Sequence, residues 1–341
     1  MAGEERAMNE HDLLRAAQAG DDDAFASLVD PYRPELLAHC YRMLGSAVDA
    51  EDALQDALVD AWRGLAGFEG RSSLRSWLYT VTTNACLKVV RRRPTRVLPV
   101  DYGGPADPHD RATEPLLESV WLEPYPDEGL RYEERESVEL AFVAALQHLP
   151  ARQRAVLLLR EVLGFSAREV AEMLDTSPAS IDSALQRAHR TVEARVPEPS
   201  QHATLRALGD DQLREIVDRY VSAWERHDVD ALVSMLTSDA CFTMPPWREW
   251  YAGRDKVAEF LASGPLRAET RWRVVPTTAN GQLAFGLFDW DEGSARYLPH
   301  ALSIITLDAR GAITEITVFR TADAFTRFEL PEQVLDTGDA R

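Results

Sequence analysis

Small polar side chains and arginines recur every three or four residues along one stretch of the chain. They follow the pair Ser177-Pro178, and helical spacing places them on one face of a helix, opposite an apolar stripe. Hydroxyl and guanidinium groups on a helical face can bind phosphates and the edges of bases in a DNA major groove. The candidate residues for binding duplex DNA are Ser177, Ser180, Ser183, Arg187 and Arg190.

Two helix starts are predicted around this face, after a buried helix that we expect to stop at Gly164. Ser166 and Glu169 have the spacing of a capping box, and Ser177-Pro178 has the pattern of a capped helix with proline in its first turn. Two short helices joined by a tight turn are typical of a helix-turn-helix, whose second helix enters the major groove. The pattern also fits an ordinary helical hairpin with solvated arginines, and spacing alone leaves both interpretations open.

A second stretch, residues 68–93, combines aromatic, hydroxyl and amide side chains with a cationic end. A loop around Gly70 leads into a helix that contains Trp77 and ends at Pro94. Bases of single-stranded DNA stack on aromatic rings, and arginines follow its phosphates. The alternative is a structural helix, because terminal arginines also complement the helix dipole and Trp77 fits a core. The polar side chains along the helix are Tyr79, Thr82, Thr83, Asn84 and Lys88.

Residues 49–63 predict an amphipathic helix with an acidic outer face. Ala53, Leu54 and Ala57 belong to its apolar stripe. The helix dipole alone favours acids in the first turn, and a more specific interpretation is a docking face for a basic partner. The candidate docking residues are Asp49, Glu51, Asp52, Gln55 and Asp56, with Asp60 on the same side.

The composition limits the classes of protein to consider. The chain has 341 residues, enough for two or three domains, and its net charge of −19 means that any nucleic-acid surface must be local. Three separated cysteines without a C-x-x-C pair argue against a disulfide framework and a zinc site. The acidic, polar N-terminus is unlike a signal peptide and no apolar run is long enough to span a membrane, so we expect a cytoplasmic protein.

Two groups of motifs resemble the extracytoplasmic-function sigma factors of bacterial RNA polymerase. The first 93 residues contain D-A-E-D-x-x-Q-D-x-x-x-x-A-W and F-x-G-x-S-x-L-R-S-W-L-Y-T-V-x-x-N, which are similar to region 2 of that family. The segment from Leu149 contains LP-x-x-Q-R and G-x-S-x-x-E-V-A-x-x-L, which are similar to region 4. The resemblance implies contacts with the β′ clamp and β flap of core RNA polymerase and with promoter DNA.

Each candidate surface receives a role from this resemblance. The acidic helix would bind the polymerase clamp, region 2 would open the −10 promoter element, and region 4 would read the −35 element. Asp182 and Ala184 replace basic residues that the family often carries, which predicts weak duplex binding without polymerase. The implied −10 contacts are a base pocket at Gly70, Arg71, Ser72 and Ser73 and a strand path along Asn84, Lys88, Arg91, Arg92 and Arg93.

Residues 94–133 predict an acidic linker rich in proline and glycine. Such a composition cannot bury enough apolar surface to fold alone, so we expect an extended or disordered segment. Its exception is an apolar hook held by prolines, and we expect this hook to dock, although a chance patch is the alternative. Relatives with an extra C-terminal domain have a similar W-L-x-P motif. The hook residues are Trp121, Leu122, Pro124 and Tyr125.

The last part of the chain changes from helical to strand-like patterns, which predicts an α+β domain with an antiparallel meander. The motifs Y-V-x-A-W-E-x-H-D-V-D and M-P-P-W-x-x-W-Y-x-G-R-D resemble the SnoaL-like branch of the nuclear-transport-factor-2-like fold, which implies a cone-shaped cavity. No spacing in this domain specifies a reaction. The candidate pocket residues are Trp247, Trp250, Tyr251, Arg273, Phe288 and His300.

We therefore predict a multidomain protein with two all-α sigma modules and an α+β SnoaL-like cone. The predicted ranges are 10–93 for region 2, 94–133 for the linker, 134–196 for region 4 and 205–330 for the C-terminal domain. The predicted function is an alternative sigma factor regulated in cis by that domain, without a cofactor or metal. A small-molecule ligand and a separate anti-sigma protein are further candidate partners.

Two alternatives belong to other classes. One is a SnoaL-like cyclase or isomerase with a DNA-binding appendage, against which the motifs of the first 93 residues argue. The other is a repressor that works without polymerase, against which Asp182 and the acidic net charge argue.

Overall fold

The computed structural model describes residues 9–110, 113–116, 120–127, 130, 136–196, 199–320 and 322–335. The chain divides into two compact units, the first formed by Met1–Arg93 with Leu146–Ala194 and the second by Pro94–Ala145 with Arg195–Arg341. Five charged positions of the predicted acidic linker lie outside the described residues: Arg111, Glu118, Glu128, Arg131 and Glu133.

Among the described residues, the regular secondary structure of the first unit is helical, and the second unit combines helices with strands. In chain order the α-helices are α1 (Glu10–Gln18), α2 (Asp22–Val29), α3 (Arg33–Leu44), α4 (Ala47–Gly64), α5 (Leu74–Val90), α6 (Pro99–Tyr102), α7 (Leu140–Gln147), α8 (Ala151–Leu157), α9 (Ala167–Met173), α10 (Pro178–Glu193), α11 (Gln201–Leu208), α12 (Asp210–Glu225), α13 (Val229–Ser234) and α14 (Arg254–Ser263). The first unit contains α1 to α5 and α8 to α10.

Serine side chains begin the helices that carry the candidate surfaces. Ser46, Ser73, Ser166 and Ser177 precede α4, α5, α9 and α10, and each accepts a hydrogen bond from the backbone N–H three residues further on. Such a bond satisfies one of the N–H groups that have no partner within the helix. The Glu169 carboxylate accepts in return from the N–H of Ser166, so the predicted capping box is confirmed.

The end of α8 is shaped by a glycine. A single π-helical turn continues α8 over Leu158–Val162, and Gly164 follows with φ of 73°. Glycine adopts this left-handed conformation without the steric penalty that a Cβ would bring. The N–H of Phe165 then donates to the carbonyl of Leu159 at 2.9 Å, and α9 begins shortly afterwards. The predicted glycine stop is confirmed.

A buried arginine joins α8 to α3 within the first unit. The Arg154 side chain is 3% exposed and donates to the backbone carbonyls of Met43, Gln147 and Leu149 and to the Gln147 amide oxygen. The Met43 carbonyl belongs to the last turn of α3, where the helix dipole favours a cation. Burial lowers the pKa of Arg154 to about 10, which leaves it charged at neutral pH.

A second arginine joins α5 to the segment that follows α8. The Arg75 guanidinium lies 5.0 Å from the ring centroid of Tyr79 and 4.8 Å from that of Phe165, in cation–π geometry. Its Nη2 also lies 3.2 Å from a carboxylate oxygen of Glu35 on α3. These contacts and those of Arg154 hold α8 and α9 against the helices of the N-terminal part.

The second unit is built around a mixed six-stranded sheet. Its strands are β1 (Leu236–Thr243), β2 (Trp250–Ala252), β3 (Trp272–Ala279), β4 (Gln282–Asp291), β5 (Arg296–Leu307) and β6 (Ile313–Phe319), in the order β2-β1-β6-β5-β4-β3. The predicted antiparallel meander is right for β3 to β6 and wrong for β1, which runs parallel to β6. The chain crosses the sheet between β2 and β3, and strand patterns alone do not reveal such a crossover.

Both faces of the sheet are covered within this unit. On one face, Tyr220 of α12 stacks on Phe285 with ring centroids 4.3 Å apart. On the other face, Phe288 contacts Phe325, and a Cβ added to Gly286 would come within 2.7 Å of Leu330. The fold class predicted from the sequence is confirmed, with helical modules and an α+β domain. Among the described residues, no helix has the length and apolar character that crossing a bilayer requires.

Candidate nucleic-acid interface

The predicted duplex-reading residues of α10 lie on its solvent face. Ile181 and Ala188 are buried, and the five predicted residues are exposed. The three serine hydroxyls also bond within the helix: Ser177 Oγ lies 2.9 Å from Ser180 Oγ, and Ser183 Oγ donates to the carbonyl of Ala179 at 2.9 Å. Arg187 and Arg190 remain as exposed cations. The surface therefore combines short hydroxyls near its start with positive charge towards its end.

The helix α5 exposes only part of its predicted single-strand surface. Asn84, Lys88 and the triplet Arg91–Arg93 are exposed, as that role requires. Tyr79, Thr82 and Thr83 are buried instead, so they cannot contact DNA in this structure. Helical spacing explains the difference, because these three residues lie on the side of α5 that packs inward.

Thr83 has a structural partner in the core. Its hydroxyl lies 2.9 Å from Nε2 of His39, which is completely buried. Burial, together with the nearby Arg42, lowers the pKa of His39 to about 3, so this histidine is neutral. The pair is part of the packing between α3 and α5.

Two grooves flank an ion pair between α4 and α5. Lys88 Nζ lies 3.1 Å from Asp60 Oδ2, and grooves of about 480 and 420 Å³ lie beside this pair. The larger groove is lined by Asp60, Gly64, Trp77, Val81, Asn84, Leu87, Lys88 and Arg91, and the smaller by Asp56, Val59, Asp60, Arg63, Ala85, Lys88, Val89, Arg92 and Arg93. Their cations suit a phosphate backbone.

The predicted base-pocket loop is exposed from Gly70 to Ser73. Gly70 has φ of 71°, a conformation in which other residues are strained. Arg71 Nε lies 3.4 Å from the Glu69 carboxylate, and Ser73 caps α5. The loop is therefore held in place at Ser73, where α5 begins, and is exposed at Gly70 and Arg71.

The acidic face of α4 is mostly as predicted. Glu51, Asp52, Gln55 and Asp56 are exposed. Asp49 is different: it is 3% exposed and forms an ion pair with Arg93. This pair ties the start of α4 to the turn that follows α5, so the exposed acidic face begins at Glu51.

The hook of the linker is buried in the second unit, as its apolar composition predicted. Trp121 is 6% exposed, Leu122 0% and Tyr125 4%, and Pro124 is also buried. The N–H of Leu122 donates to the carbonyl of Val97 at 3.0 Å, which pairs two parts of the linker. Trp121 Nε1 donates to a backbone carbonyl at 3.2 Å.

The described part of the linker is more ordered than its composition predicted. Ala106 N–H donates to the carbonyl of Trp250 in β2 at 2.8 Å, and the indole of Trp250 donates to the carbonyl of Gly103 at 2.8 Å. Leu116 N–H donates to the carbonyl of Pro246 at 3.0 Å. Contacts with the C-terminal domain thus supply the burial that the linker lacks alone.

The turn between β3 and β4, Asn280–Gln282, holds the end of the linker. Asn280 is fully buried; its Oδ1 accepts from the N–H of Tyr125 at 2.8 Å, and its N–H donates to the carbonyl of Tyr125 at 2.9 Å. Gly281 N–H donates to the Asp127 carboxylate at 2.8 Å. We call residues 280–282 the Asn280 turn.

The same turn also holds the segment that leads into α7. Asn280 Nδ2 donates to the carbonyl of Val138 at 2.7 Å, and Gln282 Oε1 accepts from the N–H of Leu140 at 3.1 Å. Both turn side chains are buried. The Asn280 turn therefore binds the chain on both sides of the interval between Asp127 and Val138.

A buried carboxylate anchors this lead-in segment to α11. Glu139 is 3% exposed and accepts from the backbone N–H groups of Gln201 at 2.9 Å and His202 at 2.7 Å. These N–H groups lie at the positive end of the α11 dipole. Burial raises the pKa of Glu139 to about 7, with a further contribution from Glu136. Asn280 and Glu139 were not predicted as functional residues, although the Asn-Gly pair is a recognisable hairpin signal.

The six predicted pocket residues fall into two groups. Trp250 and Tyr251 belong to β2, where Tyr251 stacks on Phe260 and Trp250 bonds to the linker. Arg273 of β3 and Phe288 of β4 are cross-strand partners next to the step of β5 that contains His300, and Phe288 also packs against Phe325. Arg273 lies over the ring of Tyr297 at 5.1 Å.

His300 is a further predicted pocket residue, and it lies close to charged side chains. It occupies an irregular step in the β4–β5 pairing, and its Nδ1 lies 3.9 Å from Asp289 Oδ2. Burial, together with the positive Arg320, lowers the pKa of His300 to about 4. Burial raises the pKa of Asp289. Arg320 also lies 5.0 Å from the ring centroid of Trp247.

One exposed cluster in the described residues could offer metal ligands: Asp107, His109 and Glu259. The Lys256 ammonium already lies 3.2 Å from the Asp107 carboxylate and 2.9 Å from that of Glu259. It already binds both carboxylates and offsets one of their two negative charges, so we assign no metal to this cluster.

Comparisons with known proteins agree with this architecture. Residues 28–95 match the model for sigma-70 region 2, residues 139–192 match that for sigma-70, region 4, and residues 217–316 match that for a SnoaL-like domain. The chain is 39% identical over 319 residues to the ECF RNA polymerase sigma factor SigG of Mycobacterium tuberculosis, which covers 91% of this chain and 85% of SigG.

A second relative is similar in sequence and in structure. SigJ, another ECF RNA polymerase sigma factor of Mycobacterium tuberculosis, is 29% identical over 242 residues, or 67% of this chain and 69% of SigJ. The crystal structure of Mycobacterium tuberculosis SigJ has a TM-score of 0.57 at 23% identity and covers 90% of this chain and 100% of that chain.

Fold and site define a DNA-binding transcription protein with two helical modules and an appended α+β domain. The chain belongs to the ECF sigma-70 factors of RNA polymerase and carries a C-terminal SnoaL-like domain.

Proposed function

We propose that the C-terminal domain restrains this sigma factor in cis by holding its linker and the start of region 4. Sigma factors act by binding core RNA polymerase and promoter DNA. In this proposal residues 10–93 act as region 2, with the α4 face on the polymerase clamp and the α5 cations on the −10 strand. Residues 134–196 act as region 4, with α10 on the −35 element, and residues 205–330 form the restraining domain.

The observation that carries the proposal is the double attachment at the Asn280 turn. Its side chain bonds to Tyr125 at the end of the hook and to Val138 before α7. A linker held at both points cannot move freely along a path through polymerase. Active initiation then requires either a polymerase contact or a ligand that favours the released linker, because a ligand shifts an equilibrium only through differential affinity.

The strength of the restraint follows from the buried hook. Each large apolar side chain that returns to water costs about 1.5–3 kcal/mol. Release of Trp121, Leu122 and Tyr125 together therefore costs on the order of 5 kcal/mol. Such a cost keeps the linker docked in the free protein and is still within the range that a polymerase interface can offset.

The test is promoter-specific transcription by core RNA polymerase with the full chain. In Asn280→Gly, glycine keeps the positive φ of 56° and loses the side-chain bonds to Tyr125 and Val138. We expect transcription to rise by up to roughly 30-fold, because each of the two lost hydrogen bonds contributes about 1 kcal/mol to docking.

The matched control is Ala295→Gly, which changes another residue of positive φ, in the exposed turn between β4 and β5. It should leave transcription unchanged. Lower or unchanged transcription by Asn280→Gly would contradict a restraining role. No promoter-specific initiation by either protein would contradict the sigma function itself.

The cyclase or isomerase alternative has one observation in its favour, the pairing of a neutral His300 with Asp289. The Trp272 ring lies 5.0 Å from that of His300, and these contacts alone do not specify a reaction. A small regulatory molecule that binds beside His300 is the form of this idea that agrees with a sigma factor.

A further inference from the structure

Two polar side chains on the exposed side of α10 stand out by their chemistry. Asp182 and Gln186 are exposed, and within the described part of the chain neither has a hydrogen bond or an ion pair. No cation stands three or four residues from Asp182 on the helix, since those positions are occupied by Pro178, Ala179, Leu185 and Gln186 itself. These groups are therefore available to an external partner.

Their position on α10 is favourable for reading bases. Asp182 lies in the second turn, and Gln186 follows one turn later on the same side of the helix. Residues in the N-terminal half of a recognition helix contact base edges. Four residues of an α-helix rise about 6 Å, and base pairs are stacked about 3.4 Å apart, so the two side chains can reach base pairs that lie one or two steps apart.

Small neighbours allow a short side chain to reach the floor of the groove. Ala179 and Ser183 are exposed beside Asp182, and the Ser183 hydroxyl is turned back onto the helix at 2.9 Å from the Ala179 carbonyl. The backbone of α10 can therefore approach the DNA closely at this level. Arg187 and Arg190 lie further along, where they can bind phosphates.

A carboxylate has few partners in a DNA groove. Phosphates repel it, and guanine and thymine present acceptors to it. Only the exocyclic amines of cytosine and adenine can donate to Asp182, and the pairing of acidic side chains with cytosine N4 is well matched in geometry. A carboxylate without a hydrogen-bond donor in the groove costs free energy. Asp182 would therefore disfavour guanine and thymine as well as favour a base with an exocyclic amine.

We propose that Asp182 and Gln186 determine the base preference of this sigma factor in the −35 element, with Asp182 reading a cytosine amine and Gln186 reading the N6 and N7 edge of a neighbouring adenine. This inference rests on the proposed role of α10 as the −35 reader.

The test is a selection with holoenzyme, formed from core RNA polymerase and the full chain, on a pool of promoters with randomised −35 and −10 regions. Wild-type holoenzyme should enrich cytosine and adenine at two neighbouring positions. Asp182→Ala should abolish the cytosine preference alone, and Gln186→Ala the adenine preference alone, each by roughly 5- to 100-fold in relative binding. Asp182→Asn should change the preferred base at its position to adenine, which an amide binds through two hydrogen bonds.

The matched control is Glu193→Gln, which removes one negative charge from the last position of α10. It should strengthen binding to all sequences slightly and change no base preference. If Asp182→Ala also strengthens binding to all sequences and changes no base preference, Asp182 acts only through its charge and the inference is wrong. If wild-type holoenzyme enriches a −10 sequence without any −35 preference, α10 is not a reader. If it enriches nothing, the sigma function fails as well.

Discussion

Region 4 is anchored at two places by buried charges of opposite sign. Arg154 holds α8 on the carbonyls at the C-terminal end of α3, and Glu139 holds the lead-in to α7 on the N–H groups at the N-terminal end of α11. Each charge is placed at the helix end whose dipole favours it. Neither relies on an oppositely charged side chain in these bonds.

The two anchors differ in how they respond to pH. The pKa of Arg154, about 10, keeps the guanidinium charged under physiological conditions. The pKa of Glu139, about 7, makes its charge variable in that range. The anchor within the first unit is therefore permanent, whereas the anchor on the C-terminal domain can be weakened by a change of pH.

Removal of the permanent anchor should have the largest effect. Arg154→Met keeps much of the side-chain volume and leaves the carbonyls of Met43 and Leu149 without their donor. We expect the local free energy of unfolding to fall by about 3 kcal/mol, because buried polar groups lose their bonds. Hydrogen exchange in peptides from α3 and α8 measures this loss. Arg168→Met, at an exposed ion pair with Glu172, should change the same quantity by less than about 0.5 kcal/mol.

The titratable anchor should give an effect that is no larger and that depends on pH. The pKa of Glu139 is about 7 in the folded protein, against the ordinary value of 4.5 for a glutamate, so the folded state binds the proton more tightly. Stability therefore falls as pH rises from about 4.5 to 7, by up to ~3 kcal/mol. Hydrogen exchange of the N-terminal turn of α11 should show this fall. Glu139→Gln cannot ionise and should flatten the dependence; a wild-type segment more stable at pH 8 than at pH 5 would contradict the assignment.

The smallest effect concerns the neighbour of this anchor. Glu136 is exposed, and its charge contributes to the raised pKa of Glu139. Glu136→Gln should move the pH at which the segment loosens slightly downwards, by a few tenths of a unit, because a surface charge is screened. The same exchange measurement as a function of pH detects this. An upward shift would mean that Glu136 acts on Glu139 through structure.

Local sequence patterns predicted much of the fold. The capping box at Ser166, the glycine after α8 and the amphipathic face of α4 depend on residues a few positions apart, and the structure agrees with each. Predictions that needed contacts between distant residues were less complete. The inward orientation of Tyr79 and the parallel pairing of β1 with β6 depend on what packs against them.

The candidate surfaces show the same difference between features that depend on local spacing and features that depend on contacts between distant residues. Exposure of Asn84 and Arg187 followed from helical spacing, whereas the ion pair of Asp49 with Arg93 joins residues on separate helices. In the sequence, nothing distinguishes Glu139 from the other acidic residues around it. Its role becomes visible only when the start of α11 lies beside it.

The buried hook affects how the protein should be dissected. A fragment that ends near Arg195 would lack the sheet and leave Trp121, Leu122 and Tyr125 uncovered. Exposed aromatic strips of this kind promote self-association. Poor activity of such a fragment would then reflect aggregation. Single substitutions in the full chain separate two effects of the C-terminal domain, its regulation of transcription and its covering of the hook from water.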